Sequence, residues 1–113
     1  IVRATQGLDR IRDIKVRVKT MMNISNIAHN KEYNVFALQL AQKAIILSTN
    51  IPNLFDRVFV LSDIAVSQLT SNNFSARKII FSAISIAEEI KDPWARARAL
   101  SKVSSVLIMI NSN

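Results

Sequence analysis

The sequence predicts an all-α protein built as a solenoid of helical hairpins, and three observations carry that expectation. First, the chain repeats itself about every forty residues. Ile11-Arg12-Asp13-Ile14-Lys15-Val16-Arg17-Val18 to Met21 aligns with Ile51-Pro52-Asn53-Leu54-Phe55-Asp56-Arg57-Val58 to Leu61, and that with Ile90-Lys91-Asp92-Pro93-Trp94-Ala95-Arg96-Ala97 to Leu100, at offsets of 40 and 39. Each copy carries an apolar residue, an Asp or Asn two later, an Arg six later, and apolar residues seven and ten later. A fixed period of this size means stacked copies of one supersecondary unit. Second, the apolar residues within each copy fall at three- and four-residue steps, the period of a helix with one buried face. Third, one Gly and two Pro in 113 residues leave few turns that need positive φ, which favours helices joined by short polar loops over β-structure.

The elements follow in order. Ala4, Leu8 and Ile11 match Ala83, Ala87 and Ile90 at an offset of 79, so residues 1–11 read as the last helix of an earlier hairpin. First helices are expected at about 14–29, 54–70 and 94–110, and second helices at about 32–49 and 74–90. Asp13, Asn53 and Asp92 stand just before each first helix, where a short acceptor side chain caps orphan N–H groups, and Pro93 suits the first helical position. In the second copy Leu54, Val58, Leu61 and Ala65 mark the buried face, and Ala97, Leu100 and Val103 are their counterparts in the third. Ala37, Ala41, Ala44 and then Ala76, Ile80, Ala83 give the second helices a small-residue face that lets a neighbour approach closely. Hairpin turns are expected near His29–Tyr33 and Thr70–Asn73. The expected core includes Leu61, Ala65, Ala76, Ile80, Ala83 and Leu100, with Phe55 and Trp94 packed at matching helix starts. The organisation is a single helical-repeat domain over 1–113: a half repeat 1–11, repeats 12–50 and 51–89, and a half repeat 90–113, expected to belong to a longer chain.

These residues resemble the tetratricopeptide repeat. That family's second helix carries small or apolar residues at steps of four and three, as do Ala37, Ala41, Ala44 and Ala76, Ile80, Ala83; its first-helix pattern is met by Val58, Leu61, Ser62, Ala65 and by Ala97, Leu100, Ser101, Ser104. The period of about 39 is longer than the family's, Met22 stands at the small-residue place of the first copy, and the aromatic expected late in the first helix is absent; HEAT-like packing has a similar period. The resemblance implies about six antiparallel helices in a right-handed stack, with first helices lining a concave groove. The groove faces it implies hold Lys19, Asn23 and Asn26 in the first copy, Phe59 and Asp63 in the second, and Arg98, Lys102 and Ser105 in the third.

Composition removes several classes of function. The net charge of +7 is confined to the ends: residues 1–19 hold six Lys/Arg against two Asp, 20–89 balance five against five, and 90–113 hold four against one. The absence of Cys excludes thiolate chemistry and disulfides and fits a cytoplasmic setting. No apolar run approaches the ~18 residues of a spanning helix, so no membrane segment is expected. His29 is the only His, with Glu32 the one acid near it, too few ligands for a metal site. Glu88 and Glu89 are adjacent and point about 100° apart on a helix, so they cannot share a proton. Gly7 stands alone, without a phosphate-binding loop. No catalytic residue, metal site or cofactor is expected, and the chain is not read as an enzyme.

Arg17, Arg57 and Arg96 recur at one place per copy, which suits a stem laid over a neighbouring helix and a guanidinium on the carbonyl end of the preceding hairpin, or paired with Asp13, Glu89 or Asp92. Cations at both ends of the implied groove suit an acidic peptide or a C-terminal carboxylate. Val106, Leu107, Met109 and Ile110 are expected to form an open apolar edge, for self-association or for contact with a continuation of the chain. The leading expectation is therefore a protein-interaction scaffold that binds a partner's peptide or helix, or a second copy of itself. Nucleic-acid binding through the basic ends ranks below it, because Tyr33 and Trp94 are the obvious stacking residues and neither lies in a basic run.

Overall fold

The computed structural model describes residues 12–69 and 73–112, and among them the chain is all-helical: α1 Ile14–Asn30, α2 Asn34–Ser48, α3 Leu54–Gln68, α4 Asn73–Glu88 and α5 Pro93–Asn111. The expected helix over 1–11 and most of the expected turn at 70–73 lie outside the described residues. The chain divides into two compact units, Ile1–Ile51 and Pro52–Asn113, and the division falls beside Ile51, between the first and second copies of the Ile-x-Asp/Asn signature.

Each first helix starts where its cap residue stands. Asp13 accepts from the N–H groups of Lys15 and Val16 at 2.9 and 3.3 Å, Asn53 from Asp56 at 3.0 Å, and Asp92 from Trp94 at 3.3 Å, with Pro93 opening α5. A cap of this kind contributes about 1 kcal/mol relative to Ala, so the recurring signature fixes the phase of the helices as well as their starts. Arg96 carries out the role its recurrence suggests: its Nη1 donates to the carbonyl of Ile90, just past the end of α4, at 3.0 Å.

In the first unit α1 and α2 pack as an antiparallel hairpin. Val18, Met21, Met22 and Ala28 of α1 close against a face of α2 made of Ala37, Leu40, Ala41 and Ala44. The alanines bring the axes close, and the buried Ser25 then spans the gap, donating from Oγ to the Ala37 carbonyl at 2.7 Å. The turn is a Schellman motif, in which Tyr33 N–H reaches Ala28 O at 2.8 Å and Glu32 N–H reaches His29 O at 3.1 Å. The motif needs a left-handed residue, and Glu32 occupies it at φ 68° in place of the usual Gly or Asn. Because a left-handed conformation costs a side-chain-bearing residue about 1 kcal/mol, Glu32→Gly is expected to stabilise the hairpin by up to about that amount, read as a raised urea midpoint. A lower midpoint would mean that the turn does not hold this geometry.

In the second unit α3, α4 and α5 pack on one another. Leu61, Ala65, Ala76, Ile80 and Ala83 are buried as expected, and Ile90, the apolar residue that opens the third copy of the signature, is buried too. Ser62 is fully buried with its hydroxyl donating to the Val58 carbonyl at 2.8 Å, and among the described residues no buried side-chain nitrogen or oxygen lacks a partner.

Helix α5 departs from the expectation in three ways. Its buried face is Ala99, Val103, Val106 and Ile110, whereas Ala97 is exposed and Leu100 only half-buried. Trp94, expected in the core, is 82% exposed, since no described element lies over the start of α5. The expected open edge is split: Val106 and Ile110 are buried at 1% and 0%, while Leu107 is half-buried and Met109 exposed. The physical reason is common to all three. Helix α5 has apolar residues on more than one face, and among the described residues only the face that meets α3 and α4 is covered.

Candidate functional site

Helices α3 and α5 run side by side in the second unit, and their facing borders gather the residues with binding chemistry. Phe55 and Phe59, one turn apart on α3, stack with ring centroids 4.5 Å apart and planes inclined by 33°. The Arg98 guanidinium of α5 lies over Phe55 and the Lys102 ammonium over Phe59, each 5.6 Å from the ring centroid. Lys102 Nζ also meets Asp63 Oδ1 at 3.3 Å. The local sequence explains the ladder. Positions 55, 59 and 63 on α3 and 98 and 102 on α5 are each spaced by four, so both sets form straight stripes, and rings on one stripe face cations on the other.

Both rings are half-buried, so they expose an apolar step beside two cations and one carboxylate. The two cations are not equivalent. Lys102 spends its charge on Asp63 in a partly exposed pair, which contributes at most about 1 kcal/mol. Arg98 is exposed and rests on a ring face, a contact on the order of 0.5–1 kcal/mol that a carboxylate accepting both guanidinium N–H pairs would outweigh. The surface can therefore bind a group that is anionic at one end and apolar at the other. It holds no nucleophile paired with a base.

Of the residues expected in the groove, Phe59, Asp63, Arg98 and Lys102 come together on this surface. Ser105, one turn further on, is exposed and turns its hydroxyl back to the Lys102 carbonyl at 2.7 Å. Lys19, Asn23 and Asn26 belong to the first unit, where they share one exposed stripe of α1. Of the two cations expected in the third copy, Lys102 is paired with Asp63 of the second. Phe55, expected in the core, is half-buried and forms the second half of the aromatic step. The signal for it was the four-residue spacing from Phe59, which puts both rings on one border of the helix.

Elsewhere His29 is exposed at the end of α1, and among the described residues no three His, Cys, Asp or Glu side chains group as metal ligands. None of the described helices is long and apolar enough to cross a membrane. No protein-family model, curated protein or solved structure matches the chain.

Proposed function

We propose that the chain is a protein-interaction scaffold, a tetratricopeptide-like array of helical hairpins whose second unit binds a partner's peptide through the α3–α5 border. The observation that carries this reading is the aromatic step of Phe55 and Phe59 overlaid by Arg98 and Lys102. An acidic side chain or C-terminal carboxylate of the peptide takes Arg98, and a neighbouring apolar side chain covers Phe59. Lys102 and Asp63 fix the register by rejecting a second unpaired acid at their end. The one-per-copy signature and the caps at Asp13, Asn53 and Asp92 support the repeat architecture behind this reading.

Fluorescence polarisation with a library of short labelled peptides tests it. Peptides pairing one acid with an aromatic or branched apolar residue are expected to bind with an affinity that falls as salt rises, and neutral peptides are not expected to compete. Arg98→Glu should weaken that binding at least about tenfold while the helical circular dichroism stays unchanged, because Arg98 is exposed and away from the caps. Single-stranded and duplex DNA serve as controls. Tighter binding of either than of any acidic peptide would replace this reading with nucleic-acid binding through the basic ends.

A further inference from the structure

The α3–α5 border carries an order of charges as well as an apolar step. Along α3 from its start, the Arg98 guanidinium lies over Phe55, the Phe59 ring follows one turn on, and the Asp63 carboxylate one turn after that. The Lys102–Asp63 pair does not present its two members equally, since the side chain of Asp63 is 53% exposed and that of Lys102 31%. The Lys102 ammonium lies over the Phe59 ring, so the outer charge at this end is the carboxylate. Lys102 meets its Oδ1 at 3.3 Å, and an ionised carboxylate has two oxygens and accepts more than one donor. The surface is therefore cationic at the Arg98 end and anionic at the Asp63 end, with the Phe59 ring between them.

We infer that the partner segment is bipolar and extended, with an acid on Arg98, an apolar side chain on Phe59 and a base on Asp63. This deepens the peptide-binding reading and rests on it. Spacing fixes the form of the segment. Positions 55 and 63 are eight residues apart on α3, so the two charged ends lie on the order of 12 Å apart, with Phe59 midway. An extended peptide rises about 3.3 Å per residue and turns alternate side chains to one face, so its residues i, i+2 and i+4 span ~13 Å on a single side. The recognised order is thus acid-x-apolar-x-base, and a base one residue earlier would point away from the surface. A helical ligand would need the same three residues at i, i+4 and i+8. Helix α4 shows what close helix packing takes in this unit, because it lies against both α3 and α5 with Ala76, Ile80 and Ala83 buried. The site border carries two rings and two long cations instead, which hold a helix axis off, whereas an extended chain lays single side chains among them. The base shares a partly exposed carboxylate with Lys102, so it strengthens binding about two- to fivefold, less as salt rises.

Fluorescence polarisation on the intact chain tests the inference with three labelled peptides of blocked termini, which share a first acid and a central leucine and carry lysine, alanine or glutamate at the fifth place. The lysine peptide is expected to bind about two- to fivefold tighter than the alanine peptide, and the glutamate peptide to bind weakest. In Asp63→Asn the order of lysine and glutamate should reverse, because the carboxylate that takes the base is gone and Lys102 is left to pair with the second acid of the ligand. A merely structural effect of the substitution would weaken all three peptides alike, and unchanged circular dichroism is expected because Asp63 is exposed. A longer peptide with the same acid, leucine and lysine at helical spacing should bind more weakly than the extended one. Equal affinity for the three peptides, an unreversed order in Asp63→Asn, or tighter binding of the helix-spaced peptide would overturn the inference. Arg98→Glu reads the peptide site itself and should weaken all three. If it does so while the fifth residue has no effect, the peptide site stands without the charge order; if it has no effect, both fall.

Discussion

Ile80→Ala is expected to destabilise the second unit by about 2–5 kcal/mol, the range for removing a fully buried branched side chain. Ile80 is 0% exposed and sits between Ala76 and Ala83, both also at 0%, so the surrounding small residues cannot expand to fill the space it leaves. Domains of this size are stable by about 5–15 kcal/mol, and the loss would remove a large share of that margin. Urea unfolding should show a lower midpoint with the slope unchanged, because the surface exposed on unfolding is nearly the same. Ser85→Ala, on an exposed side of the same helix, should change stability by no more than about 0.5 kcal/mol. Equal effects for the two substitutions would mean that α4 presents a different face to its neighbours.

Ala76→Leu is expected to cost about 1–3 kcal/mol by the opposite mechanism. Three added carbons at a 0% exposed position must push α4 from its neighbours or force side chains off their rotamers. Ser82→Leu adds comparable bulk at an exposed position on α4 and should leave the melting temperature nearly unchanged. A tolerated Ala76→Leu would show that close approach of the helices is not what Ala76 provides.

The residues that were legible in the sequence are those whose role is local or intrinsic to one helix. Asp13, Asn53 and Asp92 cap because a short acceptor before an apolar-periodic run has one use, and the three caps are found as read. Ala76, Ile80 and Ala83 are buried because small and branched residues at helical spacing make a contact face whatever the neighbour. Trp94, Leu100 and Val106 were misplaced for a different reason. Periodicity identifies the apolar faces of a helix, but not which of two faces has a helix against it, and α5 has two. Phe55 and Trp94 stand at equivalent positions, yet Arg98 lies over Phe55 while Trp94 is 82% exposed. The left-handed Glu32 was equally hidden, since Glu carries no preference for positive φ and only the geometry of the closing turn imposes it. The candidate site lay between these cases. Phe59, Asp63, Arg98 and Lys102 follow from the resemblance to the tetratricopeptide repeat, but the pairing of Lys102 with Asp63 depends on how two helices lie side by side.

The α3–α5 border is the proposed surface for a partner peptide. Chemical-shift mapping by NMR tests it most directly, with the labelled chain titrated with the tightest acidic–apolar peptide from the polarisation screen. The expected result is a set of saturable shifts confined to the rings of Phe55 and Phe59, the Arg98 guanidinium and the backbone of α3 and α5 around them. Shifts centred instead on the exposed Phe74 and Phe81 of α4, or on Val35, Leu38 and Ile46 of α2, would contradict it.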